Sequence, residues 1–284
     1  MLRAYYRLTK PGIVYGNDLT AAGGFLLASR SHIDFGLLLA MLVGLSLVIA
    51  SACVFNNYID RDIDKKMSRT KNRALVSGQI SGPAALSFAS VLLIFGVLIL
   101  GFFTNLLTML IALAAVFAYV VLYGIGKRRT VHGTLIGTVS GAAPPVVGYV
   151  AANGHLDGAS LILYLILVCW QMPHFYAIAM YRLKDYKAAG LPVLPAVKGM
   201  RRTKLEILVY TFLFVLAVVA LSAAGYTGLS FLVVMSGLGL YWLWRGLSGF
   251  NAKDDAKWGR QMFGFSLIVL LSLSIMLSIG TRLP

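Results

Sequence analysis

Runs of about 20 apolar residues alternate along this chain with short polar stretches. Nine runs are read, at roughly 12–29, 36–58, 83–103, 106–125, 134–152, 158–180, 205–225, 228–247 and 262–281. Each is long enough to cross a hydrocarbon core of ~30 Å as a helix. The longest stretch between them is about 25 residues, too short for a separate soluble domain. The pattern therefore predicts one all-α integral membrane domain over residues 1–284 with nine transmembrane helices. Small residues punctuate several runs, at Gly23-Gly24, Gly137, Gly141-Ala142-Ala143, Gly148 and Gly237-Leu238-Gly239, where helices in lipid pack closely. Pro144-Pro145 is expected to distort the fifth run, because two backbone donors are lost there.

Composition agrees: hydrophobic residues make up 59%, charged residues 12%, and the mean hydropathy is +0.82, far from a soluble balance. A net charge of +15 would suit nucleic acid, but its distribution excludes that partner. With the N-terminus cytoplasmic, every Lys and Arg except Arg30 and Arg282 falls in the tail or in loops on one side, as the positive-inside rule requires. The expected orientation is N-terminus cytoplasmic and C-terminus periplasmic. Much of the basic charge is accounted for by orientation alone. Cys53 and Cys169 lie inside apolar runs without metal-ligand spacing and read as packing residues. The first run carries Asn17 and Asp18 and no A-x-A cleavage site, so it reads as a retained helix.

Chemistry concentrates on the basic face. The second run ends in Asn56-Asn57-Tyr58-Ile59-Asp60-Arg61-Asp62-Ile63-Asp64. Asn56, Asp60 and Asp64 are spaced i, i+4, i+8 and share one helix face, whereas Asp62 points away from it. Interfacial carboxylates alone would read as ion-pair partners for nearby Lys and Arg. Paired carboxylates in register repel one another unless a cation neutralises them, and Lys65, Lys66, Arg69, Lys71 and Arg73 follow. The combination suits Mg²⁺ and a diphosphate on a greasy substrate, with Arg69, Lys71 and Arg73 as clamps and Lys127, Arg128 and Arg129 able to close the same pocket. A weaker echo ends the sixth run, where Tyr181 and Asp185 precede another basic loop. Within that run lies Trp170-Gln171-Met172-Pro173-His174. An intramembrane histidine is costly without a partner. His174 suits contact with a large planar aromatic molecule, or else is a packing histidine satisfied by a neighbour. Asp18 is an intramembrane acid whose partner the sequence does not name.

At these residues the chain resembles the UbiA superfamily of intramembrane prenyltransferases. Asn56, Asp60, Asp64, Arg69-Thr70 and Arg73 match the first Asp-rich motif, with Ala74 where a proline is common. Tyr181 and Asp185 match part of the second, which often has a full D-x-x-x-D. Lys10-Pro11-Gly12, Lys127 to Thr130, Gly141 to Pro145, Trp170 to His174, Asp185-Tyr186 and Leu191 to Pro195 resemble the branch that farnesylates haem. The resemblance implies nine helices around a central cavity in the bacterial inner membrane, with the active site on the cytoplasmic side. It implies farnesyl diphosphate and haem b as substrates, and haem o and diphosphate as products. It implies Mg²⁺ on Asn56, Asp60, Asp64 and Asp185, with Lys71 and Arg73 joining the carboxylates in catalysis. Asn56, Arg69, Lys71, Arg73, Lys127, Arg128 and Tyr181 would bind diphosphate, and His174, Trp170 and Gln171 would bind haem. Transient contact with a haem-copper oxidase or haem A synthase would follow. The rivals are a superfamily member using another aromatic acceptor, such as 4-hydroxybenzoate, and a transporter using Asp18, Asp60 and Asp185 as ion sites. Transporter sites sit near the midplane on broken helices, whereas these acids cluster at one water face.

Overall fold

The computed structural model describes residues 1–29 and 32–279 and is all-helical over them. Arg30 and Arg282, the two basic residues expected on the outer face, lie outside the described residues. In chain order the helices are α1 (Leu2–Leu8), α2 (Pro11–Ser29), α3 (Phe35–Ile59), α4 (Arg61–Asp64), α5 (Gly82–Phe103), α6 (Leu106–Phe117), α7 (Gly124–Arg129), α8 (Gly133–Gly141), α9 (Ala143–Asn153), α10 (Gly158–Tyr181), α11 (Leu183–Ala188), α12 (Leu194–Val197), α13 (Gly199–Ala223), α14 (Leu229–Ser248) and α15 (Asp255–Ile279).

Eight segments among the described residues are long and apolar enough to cross a membrane: Phe35–Ile59, Gly82–Phe103, Leu106–Arg129, Gly133–Asn153, Gly158–Tyr181, Gly199–Ala223, Leu229–Asn251 and Asp255–Ile279. They answer to the second through ninth runs. The first run is helical as α2 but is not one of the eight. Asn17, Asp18, Thr20 and several glycines dilute its apolar character. α13 and α15 start earlier than predicted, because helices continue into water while their backbone bonds hold. Their polar first turns carry Arg202 bonded to Glu206 and Lys204 bonded to Asp255 at 2.5 Å.

Helix starts follow local chemistry. Asp34, Ser81, Asn105 and Asp157 cap α3, α5, α6 and α10 by accepting from backbone N–H groups, which have no partner inside the helix. Asp157 and Ser160 form a reciprocal capping box. The fifth run breaks as expected, but before its prolines: Ala142 ends α8, and Pro144 and Pro145 occupy the first turn of α9. A missing N–H costs little at that position.

Two sets of helices build the core. α10, α13, α14 and α15 surround Phe214, Trp242, Met235 and Leu273. α2, α3, α5, α6 and α9 surround Phe25, Met41, Leu45 and Val147. α2 and α9 touch through their backbones. A Cβ on Gly24 would lie 2.0 Å from the Pro145 carbonyl oxygen, and one on Gly148 would lie 1.9 Å from that of Ala21. On the outside, Val91, Ile94, Phe95, Leu98 and Phe102 line one face of α5 at helical spacing and are exposed. Such a stripe is far too apolar for water and matches a lipid-facing surface.

Candidate active site

The α3 axis ends at Ile59, and Asp60 caps it with φ −90° and ψ 2°. The helical bonding nonetheless carries across the break. The Asp60 N–H donates to the Asn56 carbonyl at 2.9 Å, and the Asp64 N–H to the Asp60 carbonyl at 2.8 Å. Asn56, Asp60 and Asp64 therefore keep their i, i+4, i+8 register. All three line one large cavity of about 790 Å³ and are buried. That size suits a large organic ligand.

Each of the three oxygen-bearing side chains faces a cation. Lys10 Nζ donates to Asn56 Oδ1 at 2.8 Å, Lys127 Nζ to Asp60 Oδ2 at 2.5 Å, and Arg73 Nη1 to Asp64 Oδ2 at 2.6 Å. Lys10, Arg69, Arg73 and Lys127 all line the cavity. Burial draws the Lys10 ammonium down to about 8. Arg128 does not line it. It reaches Asp62 at 2.9 Å, Asp60 at 3.5 Å and the Ile59 carbonyl at 2.7 Å from outside, holding the exposed Asp62 carboxyl below its ordinary range through their hydrogen bond. Lys71 is exposed and away from the cavity. The reason is local: the loop turns after Thr70, and Thr70 and Arg73 point inward where Lys71 and Asn72 do not.

The second motif repeats the helix break of the first but not its placement of an acid. α10 ends at Tyr181, Arg182 breaks the axis, and the short α11 follows. Tyr181, Arg182 and Tyr186 line the cavity. Asp185 does not, and the structure does not bring it to Asn56, Asp60 and Asp64. Its Oδ1 instead accepts from the Ser68 hydroxyl at 2.8 Å and the Ser68 N–H at 3.3 Å, tying α11 to the loop after α4. Among the described residues no cluster of three or more His, Cys, Asp or Glu side chains is close enough to hold a metal ion. The donors fit Mg²⁺ in a narrower way. Mg²⁺ is commonly held by one or two carboxylates with substrate phosphates completing its shell, and Asp60 and Asp64 with Asn56 supply that many hard oxygens.

The aromatic wall comes from α10 and α15. Ser266, fully buried on α15, holds two residues of the Trp170–His174 stretch. Its carbonyl accepts from Trp170 Nε1 at 2.8 Å, and its hydroxyl lies 2.7 Å from His174 Nδ1. The hydroxyl also donates to the Phe263 carbonyl at 2.6 Å. A hydroxyl has one proton, so it accepts from His174, whose proton sits on Nδ1 and whose lone pair is on Nε2. His174 stacks on Trp170 with centroids 4.7 Å apart and packs against Phe263 at 5.0 Å. Histidine, tryptophan and Gln171 all line the cavity. Gln171 donates to the Leu167 carbonyl at 3.0 Å and presses on Gly141, where any Cβ would meet its amide oxygen. The histidine thus has its neighbour and still faces the cavity.

Four contributors were not legible as site residues. Lys10 belongs to a basic tail explained by orientation, and only its position directly before Pro11 and the α2 start set it apart. Ser266 is one serine in an apolar helix. Tyr119 and Tyr123 lie in a π-helical turn, Ala118–Tyr123, joining α6 to α7. Such turns widen a helix and often mark functional sites. Here the two rings stack at 5.6 Å, both line the cavity, and Lys127 lies 4.9 Å from the Tyr123 centroid. Asp18 finds its partner in Ser46 of α3, at 2.6 Å, away from the cavity. Cys53 and Cys169 are free and buried.

The profile of the UbiA prenyltransferase family matches residues 19–269. A protein of Yersinia pseudotuberculosis named protoheme IX farnesyltransferase is 51% identical over 280 residues, covering 98% of this chain and 95% of its own. One of Pseudomonas entomophila, named protoheme IX farnesyltransferase 2, is 48% identical over 282 residues, covering 99% and 96%. Among solved structures, that of digeranylgeranylglyceryl phosphate synthase superposes with a TM-score of 0.82 at 19% identity, covering 99% of both chains. A UbiA homologue from Archaeoglobus fulgidus bound to GPP and Mg²⁺ superposes with a TM-score of 0.75 at 16% identity, covering 97% of this chain and 99% of that one. With its fold shared nearly end to end and the family model matching residues 19–269, this chain belongs to the UbiA prenyltransferase family.

Proposed function

We propose that this protein transfers the farnesyl group of farnesyl diphosphate to a vinyl group of haem b, with addition of water, giving haem o and diphosphate. The observation that carries the reading is near-50% identity, over the full chain, to proteins named for that reaction. The cavity fits it: an oxygen-rich, cation-lined mouth adjoins a wall of histidine and aromatic rings.

Asp60 and Asp64, with Asn56, would hold Mg²⁺, and that ion would neutralise the diphosphate and make it a better leaving group. Asp185 joins that set only by releasing Ser68. Lys10, Arg69, Arg73 and Lys127 surround the leaving diphosphate and stabilise its growing charge. Lys127 and Arg73 lose their carboxylate partners to the incoming ligand and turn to phosphate oxygens. Arg128 fixes Asp60 and the end of α3 from outside, and Tyr181 closes the wall beside the second motif. The C1–O bond of the farnesyl diphosphate breaks with both electrons leaving on diphosphate. The allylic cation then faces Tyr119 and Tyr123, whose ring faces attract positive charge. A haem vinyl carbon supplies the electron pair for the new bond to C1. The cation left on the vinyl side is captured by water, which loses a proton. His174, with its lone pair on Nε2, orients the haem, and Trp170 and Gln171 set the wall against which it lies.

On this reading α2 is the ninth membrane helix, the N-terminus and the basic loops are cytoplasmic, and the protein resides in the bacterial inner membrane with its active site at the cytoplasmic end. The acceptor is tested by offering radiolabelled farnesyl diphosphate and Mg²⁺ with haem b or 4-hydroxybenzoate. Label entering only the haem fraction supports the proposal. Label entering only 4-hydroxybenzoate replaces the acceptor while keeping the metal and diphosphate assignments.

A further inference from the structure

A second, smaller pocket of about 270 Å³ opens on the basic face, back to back with the active-site cavity. Its polar lining includes Arg3 and Arg7 of α1, Arg69, Asn72 and Arg73 of the loop after α4, and Gln79. Arg69 and Arg73 line both pockets. We propose that this outer pocket is a binding site for a phosphate-bearing anion. It requires no assumption about the prenyl acceptor.

Three observations support the site. First, four guanidinium side chains converge there and, among the described residues, no carboxylate lines it. Arg73 is engaged by Asp64, but Arg3, Arg7 and Arg69 form no hydrogen bond or salt bridge among the described residues. Gathering like charges is unfavourable unless an anion neutralises them. Second, the positions are held by packing. The Leu8 carbonyl accepts from Asn57 Nδ2 at 2.8 Å, and Ala4 and Leu8 pack with Val54, Ile80 and Ala85. That fixes the underside of α1 and leaves Arg3 and Arg7, one turn apart, on its open side. Third, every basic residue lining the pocket is arginine, while Lys65, Lys66 and Lys71 of the same loop lie elsewhere. An orientation signal is served equally by lysine. The planar guanidinium matches pairs of phosphate oxygens, and Asn72 and Gln79 add neutral donors.

The anion has two possible sources, a soluble phosphate such as released diphosphate or the headgroup of an anionic lipid. Both can be read by native mass spectrometry on the full-length protein in detergent, titrated separately with inorganic diphosphate, phosphatidylglycerol and phosphatidylcholine. Two variants are compared with wild type. Arg3→Gln/Arg7→Gln removes charge outside the main cavity, and Asn72→Asp places a carboxylate in the pocket from an exposed loop position without removing an arginine. If both variants lose one bound diphosphate per chain, or bind it at least tenfold more weakly, the site takes a soluble anion. If both lose phosphatidylglycerol at least tenfold while diphosphate uptake is unchanged, it takes a lipid headgroup. Unchanged binding of both anions, or equal loss of phosphatidylcholine, overturns the site. Asn72→Asp keeps the test decisive if the double variant fails to fold.

Discussion

Asp60 carries the most consequence of any residue in the site, because two demands meet on it. It pairs with Lys127 at the mouth of the cavity and, with Asp64, is one of two carboxylates among the described residues that line it. Asp60→Asn preserves shape and removes the charge. Turnover should fall at least ~100-fold, while the purified variant elutes as the same monodisperse peak. Near-normal turnover would remove Asp60 from the metal site. Ser266 acts at one remove, by holding His174 with its proton on Nδ1. Ser266→Ala frees the ring, and outer-shell losses of this kind cost about 10–100-fold. The KM for haem should rise, the KM for farnesyl diphosphate should not, and Ser266→Thr should restore most activity. Equal changes in both KM values would mean a general packing defect. At this scale the first motif was legible because the helical repeat stacks Asn56, Asp60 and Asp64 whatever surrounds them. The positions of Asp185 and Lys71 were not: Asp185 follows the Arg182 break on the short α11 and pairs with Ser68, and Lys71 lies in a loop that turns it outward.

Helix ends and helix contacts decide how those residues meet. Both motif-bearing helices, α3 and α10, stop at a break and resume as a short helix, which delivers Asp64 and Tyr186 to the cavity mouth. Eight of the nine predicted runs were legible as spans among the described residues, because 20-residue hydrophobicity follows from bilayer thickness, while the polar first turns of α13 and α15 were not. The π-helical turn carrying Tyr119 and Tyr123 was not, since nothing in its apolar residues announces a change of backbone bonding. Of the small residues read as packing sites, Gly24 and Gly148 let the backbones of α2 and α9 touch, whereas Gly237 faces open space. Gly148→Ala must push those backbones apart. The expected loss is ~1–3 kcal/mol, seen as a lower midpoint in thermal unfolding of the detergent-purified protein. An unchanged midpoint would mean that this contact yields freely.

For the whole molecule, charge asymmetry and the cavity meet. The same basic loops that are expected to orient the chain also supply Arg69, Arg73 and Lys127 to the cavity. Orientation is testable through the exposed Ser77 of the loop between α4 and α5. Ser77→Cys should react with a membrane-impermeant maleimide in inside-out vesicles and not in intact spheroplasts, against a background of buried Cys53 and Cys169. The opposite pattern would invert the topology and with it the cytoplasmic site.

The proposed reaction is tested most directly by the mass of the haem recovered. Detergent-purified protein is incubated with haem b, farnesyl diphosphate and Mg²⁺, with and without EDTA, and the extracted haem is analysed by mass spectrometry. A new haem heavier by one farnesyl group plus one water, absent with EDTA, is the predicted result. Unmodified haem from demonstrably folded protein, under conditions where farnesyl diphosphate is consumed on another acceptor, would contradict it.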